Sequence, residues 1–212
     1  MIVKSLGYQR ASPGASAQMM AHIKYLLYRE RGAEEPQRDL FGPNGRVANR
    51  HAAARDLSQH FGRGVAYHKL LLSPKDDERR RLDARGTEGW QEWTRTVMAD
   101  LGARLGKDLH WVATKHANTA HPHIHLVVAG LGETQAGRTG TAGVRGQRRE
   151  VRFSPYDFRA AEVVGRRESG VRDRADVQQQ LRLFAEQDRA HLPPVRERSP
   201  EQNHERDQGR SR

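Results

Sequence analysis

Cysteine is absent from the 212-residue sequence, and its absence removes several kinds of chemistry. Without a thiol the chain has neither a cysteine nucleophile nor a disulfide scaffold, and a zinc finger of the usual cysteine type is excluded. Any metal ion would therefore have to be held by histidine and carboxylate side chains.

Long apolar runs are missing as well. No segment of the sequence approaches the length of about 18 apolar residues that a membrane-spanning helix needs. The opening residues, Met1 to Ser5, are too short and wrongly flanked for a signal peptide. We therefore expect a cytoplasmic protein, with a modest core because hydrophobic residues make up only 35% of the chain.

Positive charge is in excess. The formal net charge is +11 and the isoelectric point is near 10.6. Lysine and arginine near phosphates release condensed counterions, so this excess favours a polyanionic partner, most often nucleic acid. Ribosomal and packaging proteins have the same property, so charge predicts the partner and not the chemistry.

The most informative stretch runs from Trp111 to Gly130. Its apolar residues fall at alternate positions, a period of two that predicts two strands joined by a short loop at residues 117–120. The predicted register has three opposed pairs: His116 with His121, Thr114 with His123, and Val112 with His125. All four histidines would then lie on one face, and the apolar residues on the other.

Such a face is suited to holding a metal ion. Residues two apart on a strand are roughly 6.6 Å apart at the backbone, so the imidazoles of His123 and His125 can converge on one ion while His116 reaches it diagonally. The alternative is a histidine-rich turn exposed to solvent, or histidines satisfied by hydrogen bonds at the sheet surface. The clean apolar stripe on the opposite face favours the metal site.

The motif His116-x-Asn-Thr-x-His121-Pro-His123-x-His125, followed by an apolar strand and glycine, resembles the signature of HUH-superfamily endonucleases. Within that superfamily it is similar to the tyrosine relaxases, of the MobP-like type, that nick plasmid DNA. The resemblance implies that His116, His123 and His125 bind a divalent ion, with His121 as a near neighbour. It implies Mn²⁺ or Mg²⁺, whereas ligand type alone favours Mn²⁺, Zn²⁺ or Ni²⁺. Asp76 and Asp77 are the nearest candidates for a carboxylate that orients one of these histidines.

A second motif lies near the N-terminus, where residues 15–31 have apolar side chains at helical spacing. His22, Tyr25 and Arg29 fall on the polar side of this predicted helix. From the residues alone, a tyrosine that lies on the surface or packs on another element is the favoured interpretation of Tyr25. The resemblance implies that Tyr25 is the nucleophile, with Arg29, His22 and His121 as phosphate or DNA contacts. Tyr28 remains an alternative because one extra residue separates Tyr25 from Arg29.

The rest of the chain predicts an α+β fold with a mostly antiparallel central sheet, flanking helices and a disordered basic C-terminal tail. Residues 32–47 and 75–83 are predicted as connections, and residues 130–149 as a mobile basic loop. A strand is expected at 64–74, with His68 buried, and a last strand at 150–154. Trp90 and Trp93 are expected to pack in the core from a helix ending at Leu105.

The predicted domains are a nuclease domain, residues 1–165, and a helical then disordered extension, residues 166–212.

With these features, the resemblance to relaxases implies a metal-dependent, site-specific and strand-specific DNA endonuclease for plasmid mobilisation. Attack by Tyr25 would give a 5′-phosphotyrosine intermediate. The expected partners are single-stranded DNA at a plasmid origin of transfer and accessory mobilisation proteins. Two alternatives remain open: a rolling-circle replication initiator of the same superfamily, and a non-catalytic basic DNA-binding protein with a structural metal.

Overall fold

The computed structural model describes residues 1–28, 38–117, 119–135 and 146–170, together with residues 179 and 182. The described strands are β1 (Ile2–Arg10), β2 (Leu40–Gly42), β3 (Gly45–Val47), β4 (Val65–Ser73), β5 (Lys107–His116), β6 (His123–Thr134) and β7 (Arg148–Glu150). The described helices are α1 (Ala15–Tyr28), α2 (Arg50–Ser58), α3 (Asp76–Ala84), α4 (Gly86–Leu105) and α5 (Pro155–Glu168).

The strands form one antiparallel sheet in the order β1-β4-β6-β5-β2-β3, with β7 paired to the far end of β6. Helices cover both faces of this sheet. The predicted α+β fold with a mostly antiparallel sheet is confirmed. The central position of β4, β6 and β5 explains why their sequences are the most apolar of the chain, since both faces of these strands are buried.

Two hydrophobic clusters lie on the two faces. On one face α1 and α2 pack on Val112, Val127 and Ala129 of the central strands. On the other face α3, α4 and α5 pack on side chains that include Ile124 and Leu126. Trp90 and Trp93 are each 1% exposed in this second cluster, which confirms their predicted role in packing.

Local sequence explains where several helices begin and end. The side chain of Asn49 accepts hydrogen bonds from the backbone N–H groups of His51 and Ala52 and so caps α2. Gly106 ends α4 with a left-handed backbone at φ 62°, a conformation that glycine adopts without steric cost. The end of α4 at Leu105 was predicted from the sequence. Glycine is also required at residue 130, because a Cβ on Gly130 would lie 1.8 Å from the carbonyl oxygen of Val65.

Three predicted connections and one predicted strand were wrong. Part of the predicted 32–47 loop is the β2–β3 hairpin, and the charged connection at 75–83 is largely α3. The predicted basic loop from Gly130 begins later, because β6 continues to Thr134, and the last strand is Arg148–Glu150 instead of 150–154. Turn residues and charges in these segments are typical of loops. Short or highly charged helices and strands can still form there, because tertiary contacts stabilise them.

Some predictions lie outside the described residues: Arg29, the central part of the basic loop at residues 136–145, and nearly all of the C-terminal extension beyond residue 170. Among the described helices, none has the length and apolar character required to cross a membrane.

Candidate metal centre and nuclease site

The candidate site lies where β5 ends and β6 begins. The observed register pairs His116 with His123 and Thr114 with His125. The predicted register was therefore wrong by two residues, because the connection is longer than residues 117–120 and includes His121. A shift of two leaves every strand side chain on its original face, since the side-chain period of a strand is two.

Three imidazoles converge at this end of the hairpin. One ring nitrogen of each of His116, His123 and His125 lies within 4.8 Å of the other two. The ring centroids are 4.6 to 5.4 Å apart, and the ring planes meet at angles of 43° to 69°. The rings therefore fan out around a common point, as imidazoles do when they share one ion.

Backbone carbonyls hold the outer nitrogens of two of these rings. Nε2 of His116 donates to the carbonyl oxygen of Leu26 at 2.8 Å, and Nδ1 of His123 donates to the carbonyl oxygen of His121 at 2.7 Å. A carbonyl oxygen only accepts, so the nitrogen facing it carries a proton, and the other nitrogen of each ring is the one that can bind a metal ion. This outer contact is the usual way in which a metal-binding histidine is oriented.

The sequence suggested Asp76 and Asp77 as carboxylates that orient a histidine. Carbonyl oxygens do so for His116 and His123 instead. Asp76 forms an ion pair with Arg79 at 3.6 Å in the first turn of α3. Because α3 packs on the opposite face of the sheet from the histidines, that prediction was wrong.

The spacing of the inner nitrogens fits a metal ion. Nε2 of His123 and Nε2 of His125 are 3.0 Å apart. Two nitrogens at metal-ligand distance from one ion, with a right angle between them, lie about 3.0 Å apart. The neighbouring hydroxyl of Thr114 is buried and has no hydrogen-bond partner in the described part of the chain. It can therefore bind a further ligand, such as a water molecule, at this centre.

Helix α1 is tied directly to the histidine cluster. The carbonyl oxygen of Leu26, which accepts from His116, also accepts from the guanidinium of Arg38 at 3.2 Å. Tyr25 precedes Leu26 and is 45% exposed. Its ring stacks against that of His22, with centroids 6.2 Å apart and planes at 17°. Burial, followed by the charge of Lys69, lowers the pKa of His22, so this imidazole is neutral at pH 7.

Tyr28 faces a different environment at the end of α1. It is 39% exposed, and its hydroxyl lies 3.5 Å from the guanidinium of Arg50. Tyr28 and Arg50 line a cavity of about 460 Å³, to which Arg38 and Arg46 also contribute. The structure therefore separates the two candidate tyrosines: Tyr25 lies beside a neutral imidazole, and Tyr28 lies beside the guanidinium of Arg50.

The remaining predicted residues are placed as follows. His121 is exposed in the connection between the strands and contacts His123 through its carbonyl oxygen. Arg29 is outside the described residues. His68 is buried, and its Nε2 donates to the carbonyl oxygen of Val151 at 3.0 Å, as predicted.

A second cluster of potential metal ligands, at the other end of the β5–β6 pair, was missed from the sequence. It consists of His60, His110 and Glu133. His60 follows α2 and is far from the other two in sequence, so no spacing rule could indicate the group. The alternation of His110 with Val112, Thr114 and His116 was a usable signal, because it places His110 on the histidine face.

A protein-family model described as "Relaxase: MobA/VirD2-like, nuclease domain" matches residues 30–137. The matched range contains all three histidines of the candidate metal centre and begins just after α1, which carries both tyrosines. Searches of curated proteins and of solved structures found no significant match. Since the family model covers more than half of the 212 residues, the chain belongs to the MobA/VirD2-like relaxase nuclease family and is a DNA-nicking enzyme.

Proposed function

We propose that the chain nicks one strand at a plasmid origin of transfer, with Tyr25 as nucleophile and a divalent ion bound by His116, His123 and His125. The observation that carries the proposal is the convergence of three imidazoles within 4.8 Å, together with the hydrogen bond that ties one of them to the tyrosine helix. Single-stranded DNA and accessory mobilisation proteins are the proposed partners.

The chemistry of the ligands supports a divalent ion at this position. Hydrogen bonds to carbonyl oxygens orient His116 and His123 in the way that metal-binding histidines are oriented. Relaxase nucleases generally use a divalent metal, so Mn²⁺ or Mg²⁺ is the proposed ion, and imidazole ligation also permits Zn²⁺ or Ni²⁺. When bound, such an ion would stabilise the negative charge that develops on the scissile phosphate.

The proposed reaction is a transesterification. The phenolic oxygen of Tyr25 forms a bond to phosphorus, the bond from phosphorus to the 3′-oxygen breaks, and that oxygen takes up a proton. The products are a 5′-phosphotyrosine link and a free 3′-hydroxyl. One phosphodiester replaces another, so the reaction is reversible and the strand can be rejoined.

The proposed DNA contacts differ in kind. His22 is neutral, so it would bind a phosphate through a hydrogen bond and not through charge, and it can also accept the proton of the Tyr25 phenol. His121 is exposed beside the cluster, where an incoming strand can reach it. Arg29, which follows Tyr28 directly in sequence, is the proposed cation for the phosphate next to the nick.

The experiment is covalent capture of nicked DNA. Purified protein and Mn²⁺ are incubated with labelled single-stranded oligonucleotides that tile both strands of the DNA flanking the gene. A label at the 3′ end should migrate with the protein on a denaturing gel, whereas a label at the 5′ end should appear on a shorter free product. Tyr25→Phe removes the covalent band, and the matched variant Tyr28→Phe retains it.

The outcomes separate the candidate functions. Loss of the band in Tyr28→Phe but not in Tyr25→Phe transfers the nucleophile to Tyr28. A covalent band that survives both changes contradicts the tyrosine mechanism as proposed. Specific binding without any covalent product favours a non-catalytic DNA-binding protein.

A further inference from the structure

A groove runs along the β1 edge of the sheet, on the face opposite the histidine cluster. We call it the edge groove and define it by Tyr8, Arg10, Arg63, Arg152, Phe153 and Phe158, which line a cavity of about 750 Å³. Tyr8 pairs with His68, and His68 pairs with Val128, which lies in the hydrophobic cluster of that opposite face.

The groove is distinct from the nick site. Val128 lies three residues beyond His125, roughly 10 Å along β6, and the side chains of the two residues point to opposite faces. In addition, two strand-to-strand steps separate β6 from β1. A strand of DNA held at the nick site would have to pass around the β1 edge to enter the groove.

An exposed aromatic ring lies at the mouth of the groove. Tyr8 is 53% exposed, more than any other large hydrophobic side chain in the part of the chain that the structure describes. Gly7, with φ 95°, and a register shift between Ser5 and Tyr8 interrupt the regular pairing at this point. Such irregularities re-aim a side chain on an edge strand. The irregular backbone therefore points the Tyr8 ring toward solvent, and the regular pairing of β1 with β4 is interrupted at this position.

Further rings continue from Tyr8 into the groove. The Tyr8 ring lies 6.2 Å from that of His68, the His68 ring 5.0 Å from that of Phe153, and the Phe153 ring 5.6 Å from that of Phe158. Burial lowers the pKa of His68, so this ring is neutral at pH 7 and adds no charge. The floor of the groove is therefore aromatic and uncharged.

Guanidinium groups surround this floor. Arg152 forms an ion pair with Glu150 at 3.0 Å, and Glu150 also accepts from the backbone N–H of Gly64. The hydrogen bond from Arg152 has the larger effect and that from Gly64 the smaller, and both lower the pKa of Glu150, so this carboxylate stays ionised. Arg10 and Arg63 are exposed and form no ion pair within the described residues. The groove therefore has two positive charges that are not offset.

We propose that the edge groove binds a segment of single-stranded DNA away from the nick, with a base stacked on Tyr8 and phosphates held by Arg10 and Arg63. Aromatic rings beside unpaired cations are suited to binding single-stranded nucleic acid, because the bases stack on the rings and the backbone phosphates contact the cations. This inference rests on DNA being the substrate, but it does not require that Tyr25 is the nucleophile.

The test measures binding without cleavage. Fluorescence anisotropy with labelled oligo(dT) in the presence of EDTA gives the affinity of the full chain. Tyr8→Ala should weaken binding by at least about fivefold, since one base stacked on an aromatic ring contributes about 1–3 kcal/mol. Tyr8→Phe should bind as the wild type does. Leu6→Ala is the matched control, because Leu6 is 42% exposed on the same strand and does not line the groove.

The salt dependence tests the phosphate contacts. Each lost contact lowers the slope of log affinity against log salt by about 0.7 for a single strand. Arg10→Ala and Arg63→Ala should each produce that change, whereas Arg80→Ala, an exposed arginine on α3 outside the groove, should leave the slope nearly unchanged. Thermal melting establishes that each variant is folded, and all of these side chains are exposed.

Two results would overturn the inference: wild-type affinity in Tyr8→Ala, or equal affinity of the wild type for oligo(dT) and for a base-free strand of the same length. Failure of the nuclease proposal would look different. If no covalent product forms but Tyr8→Ala weakens oligo(dT) binding, DNA binding in the edge groove is supported and the nuclease proposal is contradicted. If the covalent product forms and Tyr8→Ala binds oligo(dT) as the wild type does, the nuclease proposal is supported and DNA binding in the groove is contradicted.

Discussion

The β5–β6 pair carries a histidine cluster at each end, on the same face of the sheet, and the two clusters are built differently. At the hairpin end His116, His123 and His125 fan out with ring planes 43° to 69° apart. At the other end the rings of His60 and His110 stack, with centroids 3.4 Å apart and planes at 14°. A lone pair lies in the plane of its ring, so two nearly parallel rings cannot both point theirs at one ion.

Hydrogen bonding does not distinguish the two clusters, because each has an imidazole N–H on a backbone carbonyl and a buried polar atom without a partner in the described residues. Nδ1 of His60 donates to the carbonyl oxygen of Asp56 at 3.1 Å, while Nε2 of His110 is buried without a hydrogen-bond partner in the described residues. The carboxylate of Glu133 is 3.9 Å from Nε2 of His60, beyond hydrogen-bond distance. The comparison indicates that ring orientation distinguishes imidazoles that could share one ion from imidazoles that pack against each other. We infer that the hairpin cluster serves the chemistry and the second cluster serves stability.

The largest expected difference concerns nicking. His125→Ala removes a ligand of the proposed ion, and an ion that stabilises the charge of the transition state contributes several kcal/mol, so the rate of covalent product formation should fall by more than about 100-fold. His110→Ala should change this rate by no more than about twofold. The rates are measured with the oligonucleotide that gives the covalent band. Similar losses in both variants would remove the distinction between the clusters.

Metal binding should also depend on the hairpin cluster and not on the second cluster. Titration calorimetry with Mn²⁺ should show one ion per chain for the wild type and for His110→Ala, and none for His123→Ala. A stoichiometry of two that falls to one in His110→Ala would mean that the stacked rings separate to bind an ion.

Stability should show the opposite pattern. His60 is 6% exposed, donates a hydrogen bond and stacks on His110, so His60→Ala should lower the free energy of unfolding by about 1–3 kcal/mol. His121→Ala, at an exposed histidine beside the hairpin cluster, should change it by less than about 0.5 kcal/mol. Urea denaturation measures both, and a larger loss in His121→Ala would contradict the assignment of roles.

The smallest expected effect is on pH dependence. Burial, followed by the charge of His60, lowers the pKa of His110 from its ordinary value of 6.5. Just below pH 6.5 the unfolded chain therefore binds more protons than the folded chain, and the free energy of unfolding falls as the pH falls. His22 and His68, with pKa values that are also lowered, act in the same direction.

His110→Gln removes one of these contributions. The loss of stability between pH 7 and pH 5, measured by urea denaturation, should be smaller in this variant than in the wild type. A steeper loss in the variant would mean that His110 is charged in the folded protein.

Much of the hairpin site was predictable because it depends on local periodicity. The alternation around His116, His123 and His125 placed them on one face, and this placement tolerates an error of two residues in register. The predicted carboxylates failed for a different reason. The outer nitrogens bind carbonyl oxygens, including that of Leu26, which lies 90 residues before His116, and no side-chain pattern reports on a backbone acceptor.

The parts that were not predictable depend on tertiary contacts. The strand Leu40–Gly42 is only three residues long and pairs with β5 through Phe41, whose ring packs edge-on against Trp111. The adjacent Gly-Pro-Asn-Gly turn at residues 42–45 favoured a loop prediction more strongly than three residues could favour a strand. The second histidine cluster depends on His60, which the fold brings from the end of α2, and the edge groove combines β1 with residues 150–158.

The most direct measurement of the central claim is a crystal structure of the protein grown with Mn²⁺, with anomalous diffraction data that locate the ion. The account predicts one anomalous peak within ligand distance of His116, His123 and His125, and no peak beside the stacked rings of His60 and His110. A peak at the stacked pair alone, or side chains of the three hairpin histidines that bind no ion, would contradict it.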